Sequence, residues 1–133
     1  MLNNFTIEDK KKLIGFDYTN PDECLEAVIE NGSNIRYIEN QTEKLCLAAV
    51  REDAFALRFI KEQTPDICME AVKENGLALQ FVKEQTPEIC MEAVKEDGLA
   101  LQYVKEQSED ICIVALNQNE YAIQFVDDKF LKK

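Results

Sequence analysis

The chain has 133 residues, 15 of them basic and 26 acidic with no histidine, for a net charge of −11 at pH 7. That length fits one domain, and a hydrophobic share of 46% is enough for a buried core, which excludes a disordered chain. The negative charge disfavours direct contact with nucleic acid or anionic lipid and favours a basic partner. No stretch has the length of a membrane span or the order of a secretory signal, so the expected location is cytoplasmic.

The first 19 residues stand apart from the rest of the chain. In "TIEDKKKLI" Thr6 and Asp9 are spaced like a capping box, Gly15 is a stop signal, and the charge of the segment suits a solvent-facing terminal helix. Residues 1–19 are therefore read as an N-terminal cap.

From there a single period governs the chain. Cys24, Cys46, Cys68, Cys90 and Cys112 lie 22 residues apart, and "TPDICMEAVKENGLALQFVKEQ" is followed at once by "TPEICMEAVKEDGLALQYVKEQ". The units are 20–41, 42–63, 64–85, 86–107 and 108–129, with a tail at 130–133. Self-similarity at this spacing is the signature of a stacked solenoid.

Each unit opens with a residue that can cap a helix: Asn20, Thr42, Thr64, Thr86 or Ser108. Pro21, Pro65 and Pro87 take the first helical position. Helix A should run about ten residues, as far as Glu30, Glu52, Glu74, Glu96 and Gln118. The next position is always Asn or Asp (Asn31, Asp53, Asn75, Asp97, Asn119) and should cap a second helix. After it comes Gly32, Ala54, Gly76, Gly98 or Glu120, a mixture that implies an ordinary helical position rather than one requiring positive φ. Helix B should extend to about Lys83 and its equivalents, as an α-helix or in part as the tighter 3₁₀ form, with Gln41, Gln63, Gln85 or Gln107 closing the unit. Both helices have wide apolar arcs, and both are too short to be stable alone in water. The expected fold is all-α: a solenoid of five 22-residue helix-turn-helix repeats with an N-terminal capping helix, stabilised by contacts between units.

The phrase "ICMEAVKENGLALQFVKEQ" resembles the repeats of a bacterial and viral family, the domain of unknown function 4116, over residues 20–129. The resemblance implies a helical-hairpin repeat and carries no activity, cofactor or catalytic residue. Repeat 1 departs most, with Glu23 in a slot that is aliphatic elsewhere and "NGSNIRYIEN" in place of "NGLALQFVKEQ".

Five cysteines raise the question of metal or redox chemistry. Without histidine, and without the short paired gaps of zinc sites, the spacing fits small buried hydrophobes better, and no metal or cofactor is expected. The column Tyr37, Phe59, Phe81, Tyr103 and Phe125 reads as a core seam, the alternative being a stacking platform. Glu26, Glu30, Glu52, Glu70, Glu74, Glu92 and Glu96 fall on exposed phases, as a solvated face or a glutamate-rich docking stripe. No phosphate loop, nucleophile elbow or catalytic constellation is present, so the chain does not read as an enzyme.

One column changes character along the chain: Arg36, Arg58, Gln80, Gln102, Gln124. Beside it run Ser33, Phe55, Leu77, Leu99 and Tyr121. The leading expectation is a non-catalytic protein-binding scaffold that contacts its partner through Arg36, Phe55, Arg58, Gln80, Gln102 and Tyr121. The alternative, from the acidity, is a nucleic-acid mimic of the kind viruses and mobile elements carry, which blocks a basic nucleic-acid-binding protein.

Overall fold

The computed structural model describes residue 15 and residues 17–131. The capping helix expected before Gly15 lies outside the described residues; Gly15 itself has φ +86°, a conformation glycine adopts without steric cost.

Five α-helices of ten residues stand in register with the repeat: α1 (Pro21–Glu30), α2 (Glu43–Glu52), α3 (Pro65–Glu74), α4 (Pro87–Glu96) and α5 (Glu109–Gln118). Their starts are fixed by side chains. The Asn20 side chain accepts from the amides of Asp22 and Glu23, and Thr42, Thr64, Thr86 and Ser108 accept from Leu45, Ile67, Ile89 and Ile111.

The second element of each repeat is a six-residue 3₁₀ helix throughout: η1 (Gly32–Tyr37), η2 (Ala54–Phe59), η3 (Gly76–Phe81), η4 (Gly98–Tyr103) and η5 (Glu120–Phe125). A short η6 (Asp128–Phe130) comes last, and no strand occurs among the described residues. The link between the two helices of a repeat is a single residue. Asn75 has φ −154° and ψ 113°; its amide donates to Ala71 O and so closes α3, while its side chain accepts from Leu77 N and so opens η3. Asn31, Asp53, Asp97 and Asn119 do the same in their repeats. An Asn or Asp is needed because one short side chain must offer an oxygen two residues ahead.

The second helix is shorter than the expected run to Lys83. It ends at Phe81 because Lys83 does not spend its amide within the repeat: Lys83 N donates to Oε1 of Gln63, in the preceding repeat, at 3.0 Å.

Helices stack on helices, 3₁₀ segments stack on 3₁₀ segments, and each helix also packs on the 3₁₀ segment of the repeat before it. The core lies between these two layers. Ala27, Ala49, Ala71, Ala93 and Ala115 are fully buried, as are Val28, Val50, Val72 and Val94 on the helices and Ile35, Leu57, Leu79 and Leu101 on the 3₁₀ segments. No Ser, Thr, Asn, Gln, Asp, Glu, Lys or Arg residue is buried among the described residues. Each hairpin covers its neighbour's apolar face, so stability is shared between repeats.

The glycines after the hinge show why this stack is so close. Their φ values are ordinary, as the presence of Ala54 and Glu120 in the column implies. Yet a Cβ on Gly32, Gly76 or Gly98 would come within 2.2, 2.3 or 2.3 Å of the carbonyl oxygen of Ala49, Ala93 or Ala115 in the next repeat's helix. Glycine is selected there by approach between repeats and not by backbone dihedrals. The junction after Ala54 accommodates a methyl group that the other three exclude.

Candidate functional site: the 3₁₀ ridge

Three residues per turn put side chains at i and i+3 in one row. In η3 the row Gly76, Leu79 faces the core, the row Ala78, Phe81 lines the seam, and the row Leu77, Gln80 lies on the outer side; Leu79 and Ala78 are fully buried, Leu77 is half-buried against the core, and Gln80 is exposed. The outward rows of successive repeats are Ser33 and Arg36, Phe55 and Arg58, Leu77 and Gln80, Leu99 and Gln102, and Tyr121 and Gln124. The structure therefore brings the residues singled out in the sequence onto one ridge.

They are not equally available on it. Arg36, Arg58, Gln80, Gln102 and Tyr121 are exposed, Tyr121 by 68%. Phe55 is half-buried and packs edge-on against Phe81, with ring centroids 5.7 Å apart. It acts as wall more than as contact surface.

The two arginines lie on the aromatic column. The Arg36 guanidinium sits 4.8 Å from the Tyr37 ring centre and 5.3 Å from that of Phe59. The Arg58 guanidinium sits 4.6 Å from Phe59 and 5.9 Å from Phe81. Rings and cations thus alternate from Tyr37 to Phe81, in the distance range where a ring face attracts a cation. Tyr18 extends the column, its ring 5.6 Å from that of Tyr37. A hollow of about 310 Å³ opens here, lined by Tyr18, Arg36, Tyr37, Glu39 and Lys61 among others. Further along, the glutamines of the ridge turn back on themselves: Gln80, Gln102 and Gln124 donate to the carbonyls of Leu77, Leu99 and Tyr121 at 3.0, 2.9 and 3.1 Å.

The acidic column is carried by the other layer. Glu26, Glu30, Glu52, Glu74 and Glu96 are exposed on their helices, while Glu70 and Glu92 are half-buried. Glu70 is occupied by a neighbouring repeat, accepting from Nε of Arg51 at 2.8 Å. The same position holds Ala48 in repeat 2, and there the residue in the place of Arg51 is Ile29. Part of this column therefore serves the contact between repeats.

All five cysteines are buried, unpaired thiols. Burial pushes Cys46 and Cys68 up to about 11 and raises Cys24, Cys90 and Cys112. Cys68, Cys90 and Cys112 donate weakly to Oε1 of Gln63, Gln85 and Gln107 at 3.6, 3.4 and 3.3 Å. Among the described residues no group of three His, Cys, Asp or Glu side chains is placed to hold a metal ion, and no helix is long and apolar enough to cross a membrane.

Those glutamines are the residues that reading the sequence missed. Gln41 donates to Ile35 O at 3.1 Å in its own repeat and to Phe59 O at 3.0 Å in the next, and accepts from Lys61 N at 2.9 Å. Gln63 makes the equivalent three bonds, and Gln85 and Gln107 reach Tyr103 O and Phe125 O at 2.8 Å while accepting from Lys105 and Asp127. Each clamps the end of the following 3₁₀ segment. The available signal was the recurrence of Gln at the close of the first four of the five repeats, including the divergent first.

A two-layer stack of α and 3₁₀ segments with a 22-residue period is a helical-repeat solenoid. Residues 42–86, 64–107 and 86–131 each match the family described as "Domain of unknown function (DUF4116)", and the chain belongs to that family. The matches begin at repeat 2, so the likeness read from residue 20 is not matched across repeat 1, the most divergent unit. No curated protein and no solved structure matches the chain.

Proposed function

We propose that the protein is a non-catalytic scaffold that holds another polypeptide along its 3₁₀ ridge. One observation carries this reading: the other rows of each 3₁₀ segment go into packing, while the position of Arg36, Arg58, Gln80, Gln102 and Gln124 stays exposed in every repeat, a line whose chemistry changes along the stack. Arg36 and Arg58 stand exposed at one end, Gln80 and Gln102 come next, and Tyr121 is 68% exposed at the other end. A line of this kind gives a bound segment both a track and a direction. The glutamate column supports a docking role less well, because Glu70 is engaged with Arg51.

The test is site-specific photo-cross-linking in the native host lysate. A photoreactive amino acid placed singly at Arg36, Gln80 or Gln102 is expected to capture a discrete polypeptide. The same group at Glu74 or Glu96, on the helical layer, is expected to capture none. Capture from the helical layer alone, or from neither layer, would contradict the proposal.

A further inference from the structure

We infer that the Arg36–Arg58 half of the ridge binds an acidic polypeptide segment, with carboxylates on the two guanidiniums; this rests on the reading of the ridge as the partner face.

The first ground is that both guanidiniums are held in place with their donors open. Each lies against two rings, Arg36 at 4.8 and 5.3 Å and Arg58 at 4.6 and 5.9 Å, so much of the cost of ordering a long side chain is met before anything binds. Among the described residues neither is hydrogen-bonded to a carboxylate, although the chain has 26 acidic residues against 15 basic. A guanidinium offers its N–H groups as a planar fork that matches a carboxylate.

The second ground is the contrast with the rest of the column. Gln80, Gln102 and Gln124 each donate an amide N–H to a carbonyl of their own 3₁₀ segment, so the fold at this position asks for no cation. Arginine at the two other positions is therefore free for a partner. Lys61, which lines the hollow beside Arg36, adds a third cation; its Nζ lies 3.4 Å from the backbone oxygen of Glu39, a residue that also lines the hollow.

The third ground is spacing. Stacked helical layers lie roughly 8 to 10 Å apart, and one turn of an extended polyproline II segment is three residues, about 9 Å. Acidic residues at i and i+3 of such a segment point the same way and meet successive arginines, with the two residues between them passing the Phe59 ring that both guanidiniums flank. The net charge of −11 does not preclude this, because charges more than about 8 Å away are largely screened at physiological salt.

Fluorescence anisotropy with labelled (Glu-Pro-Pro)4, (Gln-Pro-Pro)4 and (Lys-Pro-Pro)4 peptides tests the inference. The acidic peptide is expected to bind at least tenfold more tightly than the glutamine peptide, with an advantage that shrinks at 300 mM salt and disappears in the R36Q/R58Q double variant. Gln already stands at positions 80, 102 and 124, so this variant retains the fold, which circular dichroism checks. Gln80→Arg is expected to tighten the acidic peptide several-fold. Equal binding of the acidic and glutamine peptides, tighter binding of the lysine peptide, or an undiminished R36Q/R58Q variant would overturn the inference. So would an oligouridine 12-mer that binds more tightly than the acidic peptide. If the acidic peptide fails while the ridge still cross-links to a polypeptide, the ridge stands and the acidic partner falls; if the cross-links are absent too, both fall.

Discussion

Gln63 donates from Nε2 to the carbonyl oxygen of Phe81 at 2.9 Å across 18 residues of chain, joining the close of one repeat to the end of the next repeat's 3₁₀ segment. The same side chain takes the amide of Lys83 and thereby ends that segment. One amide group supplies the donor and the acceptor that two neighbouring backbone groups need.

Gln63→Ala should therefore strand a carbonyl and an amide between repeats, at a cost of about 1–3 kcal/mol. Gln63→Glu keeps an acceptor for Lys83 N but places a carboxylate against two carbonyl oxygens, and should be at least as destabilising at pH 7. Urea unfolding followed by far-ultraviolet circular dichroism measures both. Midpoints equal to that of the parent would show that the clamp contributes nothing.

Gly76 tests the approach between repeats. A Cβ there would lie 2.3 Å from Ala93 O, so Gly76→Ala forces α4 away from η3 and should cost about 1–3 kcal/mol. Glu120→Ala, in the same column at a position with no described helix after it, should stay within about 0.5 kcal/mol of the parent. Equal effects of the two in thermal unfolding would mean that the column is governed by helix propensity.

The hinge residue offers a conservative comparison. Asn75→Ala removes the oxygen that accepts from Leu77 N at 3.0 Å and should cost about 1 kcal/mol. Asn75→Asp should change little, since Asp97 makes the equivalent bond at 3.0 Å. A loss as large for Asp as for Ala would show that something other than the cap fixes the hinge.

The cysteines predict an alkaline decline in stability. The unfolded chain ionises its thiols around the ordinary 9.0, whereas the folded chain holds the protons of Cys46 and Cys68 until about 11. Between those values the unfolded state carries fewer protons, so stability falls as pH rises through that window and is unaffected below it. Urea midpoints at pH 8 and pH 10.5 should show the fall, and Cys68→Ala should reduce it. Rapid alkylation of all five thiols in native buffer at pH 8 would contradict their burial.

Much of this architecture is legible in the sequence because it is written locally and five times over. Asn20, Thr42 and their equivalents cap helices through contacts two or three residues away, the prolines mark first turns, and Cys68 sits among apolar neighbours in its own helix. The 3₁₀ form of the second helix is harder to read. Periods of 3.6 and 3.0 differ by about 20° per residue, too little over six residues to separate two apolar patterns, and its end depends on Gln63 in another repeat. Hydropathy is silent about the Gln clamp, since a polar side chain bonding to backbone 18 residues away has no local signature. The ridge was visible as two separate columns, arginines and aromatics; only stacking shows that Arg36 lies over Phe59 of the following repeat as well as over its own neighbour Tyr37.

The dependence of each hairpin on its neighbours is tested most directly by changing their number. In the last repeat Ile123 is 49% exposed, whereas its equivalents Ile35, Leu57, Leu79 and Leu101 are fully buried by the repeat stacked after each. Urea unfolding of chains with residues 64–85 deleted, present once and duplicated should give midpoints and m-values that rise with each added unit, and the isolated 64–85 peptide should be unfolded by circular dichroism. Midpoints independent of repeat number, or an isolated repeat that melts cooperatively at the temperature of the whole chain, would contradict the account.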